Sequence, residues 1–486
     1  MKKIYIILII LLTFLASGCK NNNIVDLSGF NLETRNAIYD FVKLYGNKSK
    51  NYDENSYVVS DFDNTTSIFD ITYQCSVYQL ETMSFAVDAD ELEVLLRTSL
   101  NLDSVMINYI DDIKSSYITL ISEYGAFSAQ GIEESELENL HNNIYWQEFA
   151  CKMKCLYLYV EEMVDDALAC EWILYWYTNM SEDEVYNLFK RSCIKYEHIN
   201  TKEVTWTSPS TLESKSGVCI CSFLLGCSVT NSVKNMLKLY KENGIDVWIC
   251  SASHVDGVRA AVDAFGISDS ICGVIGMTQK VVNGKFIAMY DYVDGYPYEN
   301  KGNGNWEKVN HPIKALPSRE GKVEAISNSL VEMYGCGPLA GFMDASGDFN
   351  FCTEFSSLKM VICYNRANRK ITEGAGLVAI AAMYQKDKNM NLKKANDNND
   401  TYYLLQGRDE NGERSLRESN YTLQFGSNIE KLFANEENTV LFDYVKNNSL
   451  TLKEFFDRFA IYTNEQNSVI NITYGYLETY AGYHSK

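Results

Sequence analysis

The stretch NSVKNMLKLYKENGIDVWICSAS, residues 231 to 253, decides the fold. Val233, Met236, Leu237 and Tyr240 recur at i, i+3, i+4 and i+7, the spacing of one apolar helix face. Asn243-Gly244 stops that helix, because Gly244 accepts a left-handed C-terminal position. IDVWIC then runs apolar on both faces. A half-exposed strand would alternate, so this reads as a central parallel strand. Ser251, Ala252 and Ser253 follow at its end.

The pattern repeats along the chain. HVDGVRAAVDAFG, 254 to 266, sets Val255, Val258, Val262 and Phe265 on one helical side, and GKVEAISNSLVEMYG, 321 to 335, does the same with Val323, Ile326, Leu330 and Met333. LAGFM at 339 to 343 and KMVICY at 359 to 364 read as further buried strands. Strand and helix alternating from 231 to 365 predict an α/β fold: a Rossmann-like open parallel sheet with helices on both faces. YVVS, 57 to 60, is assigned to the same sheet. Between it and residue 231 the chain is mostly helical in pattern and rich in Tyr and Trp, with a capping box at SEDE, 181 to 184. EVTWTSP and VCICSFLLGC read as strands near its end. Residues 71–225 are therefore expected to form a mainly α-helical cap inserted into a core of 51–70 and 226–370. A tether and leading helix at 19–50 and a C-terminal extension at 371–486 complete the division. In that extension GAGLVAIAAMYQ reads as a helix, NLKKANDNND as a polar loop and YYLLQGRDENGERS as a strand and turn.

In an open parallel sheet, ligands bind beyond the carboxyl ends of the strands. That rule selects residues. YVVS is followed by Asp61, Asp63, Asn64, Thr65 and Thr66; IDVWIC by Ser251, Ala252 and Ser253; LAGFM by Asp344 and Asp348. Lys322 opens the helix before that last strand. Several carboxylates on one rim repel unless a cation joins them. All are oxygen donors with no His or Cys pair beside them, so the expected ion is hard, Mg²⁺. A Lys and a Ser facing that cluster can hold a phosphate. A calcium loop opening at Asp61 fits poorly, because its sixth and twelfth positions are Thr66 and Thr72 instead of Gly and Glu.

DFDNTT, SAS, GKVEAI and DASGD, in that order, resemble the four motifs of the haloacid dehalogenase superfamily of phosphatases. WTSP at 206 to 209, NGIDVWICSAS at 243 to 253 and LQGRDENG at 405 to 412 are similar to the phosphoserine-phosphatase-like branch that contains phosphorylcholine phosphatases. The likeness covers roughly residues 50 to 415. It implies an Mg²⁺-dependent phosphomonoester hydrolase acting through an aspartyl-phosphate on a small phosphoester such as phosphorylcholine. Asp61 would be the nucleophile and Asp63 the acid and base, with its main-chain carbonyl on the metal. Ser251 would bond the phosphoryl group, and Lys322 would neutralise it and orient Asp61. Asp344 would complete the metal site with Asp348 in support. Thr65, Ala252 and Ser253 would lie beside the substrate. Met343 stands where the family often has Gly and is expected to bring bulk against the metal loop.

Substrate selection is read in the cap. Trp146, Trp172, Tyr175, Trp176 and Tyr177 allow two readings, a cage for a quaternary ammonium or helix-packing core. Asp70 and Glu81 are candidates for negative charge facing a cationic head, or surface residues. Two other functions stay open, a catalytically weak ligand-binding lipoprotein of this fold and a phosphotransferase.

The N-terminus and composition bound the setting. MKKIYIILIILLTFLASGC has two lysines and a short apolar run, then small residues before Cys19. Thirteen apolar residues are too few to span a bilayer but suit a signal core. The pattern resembles a bacterial lipoprotein signal, residues 1–18, with lipid on Cys19 and an extracytoplasmic, membrane-anchored protein as the outcome. The alternative is an ordinary secretory signal. A net charge of −21 argues against a nucleic-acid partner, since phosphate binding needs a basic surface. Thirteen further cysteines, many in apolar runs, read as buried small hydrophobes. No CxxC pair is matched by a second, so a structural zinc site is not expected, even though Cys151 and Cys155 share a helical face.

Overall fold

The computed structural model describes residues 25–163, 166–366, 374–426, 429–430 and 436–456. The signal sequence and Cys19 lie outside them. The protein is mixed α/β around one eight-stranded sheet. In chain order, the strands of the whole structure up to residue 406 are β1 (Tyr57–Ser60), β2 (Lys202–Thr207), β3 (Ile220–Leu225), β4 (Asp246–His254), β5 (Gly273–Met277), β6 (Gln279–Val282), β7 (Lys285–Tyr290), β8 (Tyr298–Asn300), β9 (Trp306–Lys308), β10 (Ala340–Met343), β11 (Met360–Tyr364) and β12 (Tyr402–Gln406). The main sheet runs β12-β11-β10-β1-β4-β5-β8-β9. The first six strands are parallel, and the last two add an antiparallel edge.

Strand periodicity divides the core in two. Val58, Ile249, Phe342 and Ile362 point into one apolar cluster, where Val233, Leu237 and Tyr240 of the helix Asn231–Glu242 meet them. Their neighbours Val59, Cys250, Met343 and Cys363 point into the other, against Ala325, Ile326 and Leu330 and the helix Gly374–Asp387. Successive side chains face opposite ways, so a strand with helices on both faces must be apolar throughout. Met343 is fully buried in this second cluster. Its bulk therefore fills core beneath the strand instead of crowding the loop that follows.

The helical insertion leaves the core after β1 and returns before the helix Asn231–Glu242. Its two stems are joined by the bridge between Ile68 and Ser228. Between them stand the helices Ile71–Thr82, Ala89–Arg97, Ser104–Tyr124, Ile144–Met163, Asp166–Leu174 and Glu182–Glu197, and the antiparallel hairpin β2-β3. Ser181 and Glu184 form the capping box read in the sequence.

Three features depart from the sequence reading. β6 and β7 form a hairpin whose turn is Asn283-Gly284, both at positive φ. Asn-Gly is a strong signal for that turn, but the β/α alternation masked it. Residues 392–397 are a short helix rather than loop, because Asn391 caps it through the Lys394 N–H and Leu392 and Ala395 bury themselves. Finally, β12 lies beyond residue 370, so the segment set apart as an extension supplies the last strand of the sheet.

Candidate active site

The sequence-predicted acids meet where β1, β4 and β10 end. Asp61 leaves β1 and is held by its N–H on the Phe342 carbonyl, 3.0 Å away. The next residues double back tightly, with Asn64 at φ 59. Thr66 Oγ1 closes the turn on the Asp61 carbonyl at 2.7 Å. Such a turn lets Asp61 and Asp63 share one rim though they are two residues apart.

Lys322 Nζ lies 2.6 Å from Asp61 Oδ1 and 2.5 Å from Asp348 Oδ1, all three buried. Asp348 Oδ2 accepts from the Asp344 and Ala345 N–H groups at 3.3 and 3.4 Å. Thr65 Oγ1 donates to Asp344 Oδ1 at 3.0 Å, so Thr65 steadies a metal-side acid. Burial, and then the charge of Asp348, push Asp61 well above the usual carboxylate range. Burial also works against the Lys322 ammonium, but Asp348 and Asp61 outweigh it and raise Lys322.

The donor set fits a hard divalent ion. Asp61, Asp344 and Asp348 each offer an oxygen within 4.8 Å of the others, and all three are buried. Three buried carboxylates this close repel one another, which a divalent ion offsets.

Asp63 faces β4. Its Oδ2 accepts from Ser251 Oγ at 3.0 Å and Ser253 Oγ at 2.7 Å, and its Oδ1 from the Ile71 N–H at 2.7 Å. Burial first, and then nearby Asp70, push its carboxyl up to about 7. An acid held there can release and regain a proton near neutrality. Ser251, expected against the phosphoryl group, donates here to Asp63. Ala252 follows it in β4, half-buried. Asp70 caps the helix Ile71–Thr82 through the Tyr73 N–H at 2.8 Å, close enough for its charge to act on Asp63.

Glu81 is not at the site. It lies at the far end of that helix, where Lys195 Nζ and the Tyr196 hydroxyl hold it at 2.7 and 2.9 Å. Eleven residues at 1.5 Å per residue put it roughly 16 Å along the axis from Asp70. Glu81→Gln should leave kcat/KM within about twofold, under 0.5 kcal/mol of barrier; steady-state kinetics on the purified variant checks this.

The aromatic stripe is core, not cage. Trp172, Tyr175, Trp176 and Tyr177 are at most 1% exposed and Trp146 6%. Trp172 and Trp176 pack edge-on at 5.9 Å, and the Trp146 indole donates to the Leu80 carbonyl. The rings that do hold an ammonium hold the chain's own: Lys154 Nζ stands 3.2 Å from the centroid of Tyr73 and 4.8 Å from that of Tyr157.

Two residues escaped the sequence reading. Arg366 Nη1 lies 3.1 Å from Asp344 Oδ2. It follows β11, and the strand-end rule could have found it. Arg408, 1% exposed, donates to the Asn64 carbonyl and to Glu410, clamping the turn that carries Asp61 and Asp63. Only its place in LQGRDENG pointed to it. A cavity of about 750 Å³ between Asn31 and Tyr421 is lined by none of these residues.

No protein-family model and no curated protein matches the chain. Among solved structures, the fold is similar to that of a conserved functionally unknown protein from Anaerococcus prevotii DSM 20548. The TM-score is 0.64 and the identity 23%, over 82% of this chain and 97% of that one. That likeness shows a shared fold. Cytosolic 5'-nucleotidase IIIB bound to cytidine aligns at a TM-score of 0.26 and 12% identity, over 69% of this chain and 78% of that one, too low to bear on fold or activity. The protein is thus a mixed α/β chain with a buried acidic cluster suited to a divalent metal ion.

Proposed function

We propose that this protein is a divalent-metal-dependent phosphomonoester hydrolase of the haloacid dehalogenase type. The observation that carries it is the meeting of Asp61, Asp344, Asp348 and Lys322 beyond β1 and β10, with Asp63 held beside them by two serines of β4. The ordered resemblance of the four motifs supports it.

Asp61 attacks phosphorus in line, forming an Asp61–phosphorus bond as the ester P–O bond breaks. Asp63 gives the departing alkoxide a proton and takes one back from the water that later cleaves the aspartyl-phosphate. Ser251 and Ser253 fix which oxygen of Asp63 faces the reaction. Lys322 holds Asp61 in line and offsets charge on the transferring group. When bound, Mg²⁺ supplies a second positive charge against the phosphoryl oxygens; Asp61, Asp344, Asp348 and the Asp63 carbonyl would hold it.

The substrate class is a small phosphomonoester. Asp70 beside the site favours a cationic alcohol such as choline, whereas the aromatic stripe gives that reading no support. On the lipoprotein reading of the N-terminus, the enzyme works outside the cytoplasm, anchored through Cys19.

The test is hydrolysis of p-nitrophenyl phosphate by the purified chain. Activity is expected with Mg²⁺, lost in EDTA and restored by excess Mg²⁺. A wild type inert with every divalent ion, on this substrate and on phosphorylcholine, phosphoethanolamine and phosphoserine, would leave the ligand-binding reading in its place. Equal rates across those three natural esters would remove the choline preference. Phosphate arriving on an added alcohol rather than in water would make the protein a phosphotransferase.

A further inference from the structure

The cap gathers four cysteines that the catalytic reading does not use. Cys151 and Cys155 are one turn apart on the helix Ile144–Met163. Cys219 and Cys221 are two residues apart where the chain enters β3. A spacing of four on a helix and two on a strand puts each pair on one face. The hairpin packs against the helix so that the two faces meet. Cys151 Sγ is 3.5 Å from Cys219 Sγ and 4.0 Å from Cys221 Sγ. The sulfurs of Cys151, Cys155 and Cys219 all lie within 4.8 Å of one another.

All four are free thiols in this structure. A buried cysteine acting as a small hydrophobe has no reason to seek three others. A tetrahedral centre does: with Zn–S near 2.3 Å, its sulfurs stand about 3.8 Å apart. The two separations from Cys151 bracket that value; three of the four sulfurs already lie within 4.8 Å of one another, and Cys221 approaches through Cys151.

The surrounding charge agrees. A tetrathiolate around a divalent ion carries two surplus negative charges. Lys152 and Lys154, in the same turn of the helix, are both fully buried. Lys152 is matched by Asp112 at 2.9 Å and by Glu148. Lys154 donates to Ser76 Oγ at 3.1 Å and stands over Tyr73, within electrostatic reach of Glu161, Cys221 and Asp70. A buried ammonium of that kind suits a neighbouring anionic centre.

We propose that Cys151, Cys155, Cys219 and Cys221 form a tetrathiolate site for a structural zinc ion, which fastens helix to hairpin within the cap. Binding displaces the thiol protons to solvent and makes metal affinity part of the cap's folding free energy. The clamped helix also carries Lys154 and Tyr157, which meet Tyr73 two residues past the helix start beside Asp70. The zinc thus fixes the helix that packs on Tyr73, three residues from Asp70, without taking part in chemistry at the acidic site. The proposal is independent of the phosphatase reading.

The full chain, purified under reductant without chelator, should hold one zinc per chain by elemental mass spectrometry. Cobalt(II) in its place should give the sulfur-to-cobalt charge-transfer band and strong tetrahedral ligand-field bands, which the all-oxygen Asp61 site cannot produce. Zinc sulfate should bleach them. Cys155→Ser and Cys219→Ser should lose the band, and Cys336→Ser, outside the cluster, should keep it. The wild-type cobalt spectrum decides if the cluster variants do not fold. No sulfur-to-cobalt band in the reduced wild type, a band surviving both cluster variants, or two disulfides among the four cysteines overturns the assignment.

Discussion

Asp61→Asn is expected to abolish turnover while leaving the protein folded. Loss of a nucleophile that acts as one unit with its acid and its cation costs on the order of 10⁴-fold or more in kcat. Asparagine has the same shape, so Lys322 keeps an oxygen acceptor at this position and keeps Asp348 as its second partner. The stability effect has the opposite sign to the usual one. Asp61 is a buried acid whose charged form is disfavoured by burial and by Asp348, so replacing it relieves repulsion. Its thermal midpoint in chelator should equal or exceed the wild-type value. The wild type should gain more from added Mg²⁺, because it has one more charged ligand to offer. A variant that hydrolyses p-nitrophenyl phosphate within tenfold of wild type would remove Asp61 from the chemistry. Unchanged activity together with an unchanged Mg²⁺ shift would remove it from the metal site as well.

Lys322→Met is the second large effect, and it falls on both rate and stability. The substitution keeps most of the stem volume and deletes the charge. Asp61 and Asp348 lose their shared partner, while the Arg366 contact with Asp344 remains. Breaking a buried pair from one side typically costs about 3–5 kcal/mol, because the remaining charge stays buried. In chelator the variant should melt well below wild type, and Mg²⁺ should recover more of its midpoint than it adds to wild type. The rate should fall by about 10³-fold in kcat, the scale for removing a preorganised donor from a transition state. Lys322→Arg should not restore it, since the planar guanidinium cannot reach Asp61 and Asp348 as one compact point does. If the methionine variant melted like wild type in chelator, the two short contacts would carry no weight in the fold.

Much of this arrangement was legible along the chain. Helix and strand periods are local, so Val233 to Tyr240 and IDVWIC announced their elements without knowledge of their neighbours. The rule that ligands gather at strand ends then converted four short segments into one rim, and Asp61, Asp63, Ser251, Lys322, Asp344 and Asp348 do stand together. Arg408 could not be read in that way. It reaches Asn64 from 344 residues away, just past β12, whose place in the sheet is set by long-range pairing with β11. Glu81 failed for the reverse reason. It is near motif one in sequence, but a helix carries it away from Asp70.

The strand and helix order, the acidic rim and the hard-ion chemistry of its oxygens follow from residue type and short-range spacing alone. Which aromatic residues are core, which acid Arg366 pairs with and that the thiols of Cys151, Cys155 and Cys219 converge are settled by packing. Each depends on two surfaces, far apart along the chain, being pressed together when the apolar faces are buried. Cys151 and Cys219 are 68 residues apart, and no local pattern encodes the docking of a hairpin onto a helix.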